Sequence, residues 1–498
     1  MDATLDTAPD AATGAAEPAP DALLAVALAA AAEAAPPASP APAAPVPAAS
    51  APAVSAAPAV LASAAGAPSP PLRPSGPGPV PSAAPAPVRA PVRATPAAGA
   101  PAGPPPTVPA QAAPRRAAGG PTGPRPHRPV LTELRLSAFG PHRSAVFPLG
   151  PVTLFAGPSG SGKSQVLDAY GALARLGSGA ALDEAFPHPR TRIPDRAAPD
   201  AQGRRGFRLG CTVDGPAGPV RLDLAVQAEP ALRIVGERLS QDGEILFATA
   251  LRDPGRRSVQ AAWLTGGAVG VTRAPLPDDR LGTALLPLRV AGSTAGQRRV
   301  LAAAEQVVVA LRAVFPCDPR PDRMRAPVPP GEGRLLGDCA NLADVLRRTR
   351  DECGTRYALL TEAARTGCAG AVAGLGVRAP AGEPVTALLE RGPGRPATEL
   401  ARLGAGELRF LALALVLLTG PGVLDVDPAA ELLSARQALT VLADGLDAGL
   451  DGGQAAELLR LALLSCGRGH VRLAAAVGEG TAALARRTEG VSVVDLSP

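Results

Sequence analysis

The chain has 498 residues, 49 lysines plus arginines against 44 aspartates plus glutamates, a formal net charge of +5 and only 2% aromatic residues. That length predicts two or three structural units, and so small a net charge does not by itself argue for a nucleic-acid partner. Six scattered cysteines without C-x-x-C spacing exclude a zinc framework and predict buried free thiols in a reducing, cytoplasmic setting.

Residues 1–128 are a low-complexity Ala/Pro/Gly segment. It holds too little bulky apolar surface to offset its ordering entropy, so it is expected to be a disordered tail. Residues 1–34 contain six acids (Asp2, Asp6, Asp10, Glu17, Asp21, Glu33) and no base, whereas 35–128 contain seven arginines and no acid. A solvated tail is the preferred reading, and a docking peptide on a basic tether is the alternative. The acids at the start argue against a signal peptide. No run reaches the ~18–20 apolar residues of a membrane span.

Folded sequence is predicted from Pro129. Strands are expected over 131–139, 145–149 and 152–156. The third runs into Gly157-Pro158-Ser159-Gly160-Ser161-Gly162-Lys163-Ser164, which fits the phosphate-binding pattern G-x-x-x-x-G-K-[ST]. A helical pattern follows, from Gln165 to about Arg175. Glycines let backbone N–H groups curl around a phosphate, and a helix N-terminus adds partial positive charge. Lys163 would reach the β- and γ-phosphates, Gln165 would lie in the first helical turn, and the Ser164 hydroxyl would sit on Mg²⁺. Lys163 is also the only lysine; every other basic side chain counted among the 49 is arginine. A P-loop needs a compact ammonium on a flexible stem, which a planar guanidinium does not replace.

Beyond a loop over 176–205, strands are expected over 207–213, 220–226, 232–239 and 245–251. From about Asp279 the period turns helical, with helices over 297–315 and 341–360 and a Pro/Arg-rich connection over 316–334. A strand over 385–390 precedes Leu403-Gly404-Ala405-Gly406-Glu407, a Gly-rich turn that opens a helix over 408–418 and can present N–H groups to phosphate. Thr440-Val441-Leu442-Ala443-Asp444 is an apolar, β-prone run ending in an acid, as a Walker B strand does, and its Asp would support Mg²⁺ through Ser164 and water. Ala448-Gly449-Leu450-Asp451, a helix over 455–464 and a strand over 471–477 complete the chain.

With these pieces in order, residues 129–498 resemble the ABC-type ATPases of the SMC/RecF/OLD-like group, most of all their compact bacterial members without a coiled coil, the AAA-family ATP-binding proteins. The matching stretches are the first strand with Phe139, the P-loop, Glu237-Arg238-Leu239 and Asn341-Leu342-Ala343-Asp344-Val345-Leu346. Leu403–Glu407 is similar to the LSGGE signature, and Asp444 with 448–451 is similar to Walker B followed by the D-loop. Lys163 and Gly404 stand further apart than in transporter ATPase domains, which points to a head split by an insertion. The insertion lacks the sustained heptads of an SMC arm. The expected fold is therefore α/β: a P-loop NTPase, an ABC/RecF-like ATPase head with a β-rich lobe and a helical insertion. Its parts would be the tail (1–128), an N-terminal ATPase lobe with P-loop and strand-rich subdomain (129–252), the helical insertion (253–384) and a C-terminal ATPase lobe (385–498).

The resemblance implies ATP and Mg²⁺ as ligands. Lys163 and Asp444 would be the catalytic pair, Ser164 and Asp444 the metal ligands, and Gly157–Gln165 with Gly404, Gly406 and Glu407 the nucleotide contacts. It also implies a homodimer that closes on ATP, the P-loop of one copy facing 404–407 of the other. Three positions depart from the family. Gly445 stands where a water-polarising Glu follows the Walker B Asp, Gly478 where a switch His follows the last strand, and Gly404 where the signature has Ser. A second acid cluster, Asp425-Val426-Asp427, is an alternative Walker B. Loss of a positioned base costs ~10²–10⁴-fold, so firm MgATP binding and slow hydrolysis are expected. Asp447, Glu479 or a partner's group are the candidate substitutes. The function expected is an ATP-dependent dimerisation or conformational switch. The alternatives are an active DNA-linked ATPase of repair or anti-phage defence, with DNA or an effector protein as partner, and a non-enzymatic interaction protein with structural ATP.

Overall fold

A computed structural model of the protein describes residues 128–266, 269–380, 383–420, 422–426 and 437–497. The tail expected over 1–128 therefore lies, but for its last residue, outside the described residues, as does Asp427.

Eight strands form an antiparallel sheet: β1 (Val130–Phe139), β2 (His142–Pro148), β4 (Arg205–Asp214), β5 (Val220–Glu229), β6 (Arg233–Gln241), β7 (Glu244–Ala250), β8 (Ser258–Leu264) and β9 (Val271–Pro277), in the order β2-β1-β4-β5-β6-β7-β8-β9. Five form an all-parallel sheet: β3 (Val152–Ala156), β10 (Val314–Cys317), β14 (Leu439–Ala443), β15 (Val471–Ala476) and β16 (Ser492–Asp495), in the order β10-β14-β15-β3-β16. A three-stranded sheet holds β11 (Gly374–Arg378), β12 (Thr386–Glu390) and β13 (Thr398–Glu399). The helices of seven or more described residues are α1 (Lys163–Gly177), α2 (Ala295–Arg312), α3 (Leu342–Glu352), α4 (Gly354–Gly367), α5 (Ala405–Leu418), α6 (Gly452–Cys466) and α7 (Glu479–Ala485).

The two sheet types follow from two sequence patterns. β5 reads Val-Arg-Leu-Asp-Leu, apolar inward and charged outward, as a sheet with one wet face requires. β3 and β14 read Val-Thr-Leu-Phe-Ala and Leu-Thr-Val-Leu-Ala and are buried at every residue, as a parallel strand covered on both faces must be. Alternation along those strands divides the interior. Phe155, Leu442 and Ala474 pack with α1, α2 and the inner face of the eight-stranded sheet; Leu154, Val441 and Leu473 pack with α5 and α6 on the other side. The layers are thus antiparallel sheet, helices, parallel sheet, helices: a P-loop NTPase-like α/β fold with separate antiparallel and parallel sheets. Helix α5 is buried from Leu408 through Leu417 save Arg409, consistent with an apolar surface all round.

Several expected boundaries move. The strand-rich lobe does not stop at residue 252 but runs through β8 and β9 to Pro277, so the segment 253–384 is not purely helical. The helix expected over 297–315 ends at Arg312, and Val314–Cys317 forms β10, an edge strand of the parallel sheet. Helical and strand periods cannot be told apart in so short an apolar run. The helix expected over 341–360 is two, α3 and α4, because Cys353 between them leaves the helical region at φ −146° and ψ 80°.

The Asn341–Leu346 stretch has a structural task. Asp344, 2% exposed, accepts the N–H groups of Gly331 (3.2 Å) and Gly333 (3.0 Å), and Asn341 Oδ1 accepts that of Leu336 (3.0 Å). This folds 331–339 against β10, where the Gly337 carbonyl accepts the N–H of Asp318 at 2.8 Å. A Cβ on Gly337 would lie 2.7 Å from the Pro316 carbonyl, so only glycine permits that approach. Asp344→Ala leaves two backbone donors without their acceptor and is expected to destabilise the fold by about 1–3 kcal/mol, read by denaturant unfolding. An unchanged midpoint would show that the loop is not held by this carboxylate.

Candidate functional site

The P-loop spans β3 and α1. Gly157, Gly160 and Gly162 take φ of 143°, 85° and 92°, conformations in which glycine meets no steric penalty. Two of them are also demanded by neighbours. A Cβ on Gly157 would lie 2.4 Å from the Leu496 carbonyl, and one on Gly162 would lie 2.5 Å from His142 Nε2 and 2.6 Å from Pro141 Cγ. Gly162 is the N-cap of α1 and carries no capping side chain, so the first N–H groups of α1 are left for an external acceptor. Lys163 arcs back over the loop; its ammonium donates to the carbonyls of Gly157 (2.6 Å) and Pro158 (2.9 Å). Ser161, 1% exposed, holds a buried Oγ with no partner inside the loop. Positive-φ glycines, a helix start without a capping side chain, an orphaned hydroxyl and a short-reaching cation together suit a polyphosphate.

Ser164 and Asp444 line one open cleft of about 710 Å³, together with Asp168, Arg192, Asp318 and Asp338. Asp444 follows directly on β14, and β15 is the one strand between β14 and β3. Asp425 is placed elsewhere. Val423–Asp425 pairs with Leu335 instead of joining the parallel sheet, and Asp425 does not line this cleft. A Mg²⁺ ion fits the hard oxygen donors of Ser164 and Asp444.

Gly404, Gly406 and Glu407 are not among the residues lining that cleft. Glu407 accepts the N–H groups of Gly404 and Ala369, both at 2.8 Å, closing the N-terminus of α5 onto the end of α4. A Cβ on Gly406 would lie 2.3 Å from the Gly449 carbonyl, so the signature-like turn is packed on the 448–451 turn of the same chain. Asp451 caps α6 by accepting the Gln454 N–H at 2.8 Å. Both expected substitutes for the base already have partners: Asp447 accepts the Gly478 N–H at 3.0 and 3.2 Å, and Glu479 pairs with Arg486 at 2.7 Å.

Two side chains that sequence reasoning did not single out complete the site. Arg409 of α5, 13% exposed on its side chain, donates to the carbonyls of Pro319 (2.6 Å) and Gly445 (3.1 Å) and lies 3.5 Å from Asp318. It ties the turns after β10 and β14 to each other. His142, 8% exposed, meets the Gly162 carbonyl at 3.3 Å through Nε2 and stands edge-on to Phe147. Nothing local in Pro141-His142 marks it; the β1–β2 turn brings it over the loop.

No protein-family model matches the chain, and no curated protein does. Among solved structures it is similar to three SMC head domains. One is bound to the C-terminal winged-helix domain of ScpA (14% identity, 70% of this chain and 90% of that chain, TM-score 0.38). The second is from Thermotoga maritima (14%, 71% and 90%, TM-score 0.33). The third, from Pyrococcus furiosus, carries an extended coiled coil and is bound to the C-terminal domain of ScpA (10%, 72% and 91%, TM-score 0.39). These superpositions are too loose to carry an argument, and the fold rests on strand order and register.

Gly162→Ala must relieve a positive φ and two contacts under 2.7 Å, and isothermal titration is expected to show nucleotide binding abolished; retained affinity would mean that the loop does not hold the phosphates. Burial holds the His142 pKa below its ordinary value of 6.5, against the Gly162 hydrogen bond that raises it. The unfolded chain then takes up the proton first, so stability from the neutral ring is whole above pH 6.5 and lost as pH falls through the lower folded value. His142→Gln is expected to flatten the fall in melting temperature on acidification below that point; a variant with the wild-type slope would acquit the ring.

Proposed function

We propose that the chain binds MgATP and works as an ATP-dependent conformational or dimerisation switch with slow hydrolysis. The observation that carries this reading is a P-loop between β3 and α1 whose last residue, Ser164, lines one cleft with Asp444. Lys163 and the N–H groups of the loop would hold the β- and γ-phosphates. Ser164 and Asp444 would hold Mg²⁺, which when bound draws charge from the phosphate oxygens. Gly445 offers no carboxylate beside Asp444, so positioning and charge are present without the usual water-orienting group. A second copy would supply Gly404–Glu407 from its own α5 terminus, which in one chain lies outside the cleft.

The DNA-linked alternative loses support from its basic pairs. Arg204 and Arg205 pair with Asp200 and Glu229, Arg256 and Arg257 with Asp253 and Asp278, Arg347 and Arg348 with Asp344 and Glu352. Each of these cations already has its anion.

Binding and single-turnover hydrolysis on the full chain, with Lys163→Ala and duplex DNA in parallel, test the reading. Lys163→Ala is expected to weaken ATP about 10–100-fold, the loss of hydrogen bonds to a charged group, and phosphate release is expected to be slow with or without DNA. Turnover that DNA accelerates would overturn the switch in favour of a DNA-linked ATPase. Equal affinity in Lys163→Ala would overturn the P-loop assignment.

A further inference from the structure

Hydrolysis of a phosphoanhydride needs an acceptor beside the attacking water, and Gly445 cannot be one. Asp447 and Glu479 are committed, as described. The cleft itself offers four aspartates. Asp168 is paired with Arg192 at 2.5 Å, and Asp338 with Arg323 at 2.5 Å while also accepting the Ala340 N–H at 3.1 Å. Asp444 is assigned to the metal. Asp318 remains: its side chain is 63% exposed, and its nearest cation, Arg409, lies 3.5 Å away.

Its placement is built into the sheet. β10 runs parallel to β14 with Cys317 opposite Ala443, so Asp318 and Asp444 are the residues that leave two neighbouring strands at the same edge, roughly 4.8 Å apart. The Asp318 backbone is pinned by the Gly337 carbonyl at 2.8 Å, and Arg409 fixes the following Pro319 and the facing Gly445. In the adjoining phosphate loop Ser161 Oγ is buried without a partner.

We infer that Asp318 is the catalytic base of this site, orienting the attacking water in place of the carboxylate missing at Gly445. The inference rests on the ATP reading above. In the step, the water oxygen bonds to the γ-phosphorus, and the bond from that phosphorus to the β–γ bridging oxygen breaks with its electron pair leaving on ADP. The water proton passes to the Asp318 carboxylate and on to solvent. Arg409, 3.5 Å from that carboxylate, is a positioning residue.

The test is single-turnover hydrolysis and ATP affinity, with and without Mg²⁺, on the full chain carrying Asp318→Asn or Asp318→Glu. Exposure of this side chain removes the risk of misfolding, and melting temperatures check it. Asp318→Asn is expected to slow hydrolysis about 100-fold or more while leaving ATP affinity and its Mg²⁺ dependence unchanged. Asp318→Glu keeps a carboxylate and is expected to stay well above the Asn variant. Hydrolysis at the wild-type rate in Asp318→Asn overturns the inference. So does a loss of Mg²⁺-dependent affinity in step with the rate, which would make Asp318 a binding group. A wild-type chain that binds ATP without measurable hydrolysis overturns it too, yet leaves nucleotide binding standing, whereas a chain that binds no ATP overturns both readings.

Discussion

The parallel pairing of β10, β14, β15 and β3 decides which loops of this chain can meet. Parallel strands release their chain at one edge, and ligands of α/β sheets gather there, in the crevice beyond the carboxyl ends. Phe155 pairs with Ala476, Ala475 lies beside Ala443, and Ala443 faces Cys317. The P-loop, Gly478, Asp444 and Asp318 are therefore neighbours by register, although Gly478 lies 321 positions after the start of the P-loop at Gly157. The continuous apolar runs of β3 and β14 make that register possible, since only strands covered on both faces stay in the middle of such a sheet.

Charge is distributed around this edge with few loose ends. Arginine is the structural cation: Arg472 donates to the carbonyls of Leu131, Leu149 and Gly150, fastening β15 to β1 and to the approach of β3. Arg409 fastens the β10 and β14 turns. A planar fork is suited to such fixed multiple bonds. The one lysine works differently. Its ammonium rests on two loop carbonyls at the exposed rim, neutral acceptors that a phosphate oxygen would outbid.

Much of this was legible in the sequence, and the failures have physical reasons. The P-loop, the apolar run before it and the helix after it stand where the pattern predicts, because glycine spacing and strand burial are local properties. Asp444 is read as Walker B ahead of Asp425 because a buried strand needs a longer apolar run than Val423-Leu424; of these two, Asp444 lines the cleft with Ser164 and Asp425 does not, while Asp427 lies outside the described residues. β10 was hidden because Val-Phe-Pro-Cys continues a helical apolar face, and its strand state comes from pairing with β14, 125 residues later in the chain from Val314 to Leu439. With β10 unseen, Asp318 read as part of a Pro/Arg-rich connection. His142 and Arg409 were missed for the same reason: each owes its role to a contact across elements, and neither carries a motif. Glu407, a nucleotide contact by resemblance, also closes a helix end within its own chain, a role that no motif marks.

The P-loop and Asp444 are proposed to form a single metal–nucleotide site. Titrating ATP into the full chain with and without Mg²⁺, in wild type, Asp444→Asn and Asp425→Asn, tests it most directly. Mg²⁺ is predicted to tighten ATP binding in wild type and Asp425→Asn but not in Asp444→Asn. A Mg²⁺ effect that survives in Asp444→Asn and vanishes in Asp425→Asn would contradict the account.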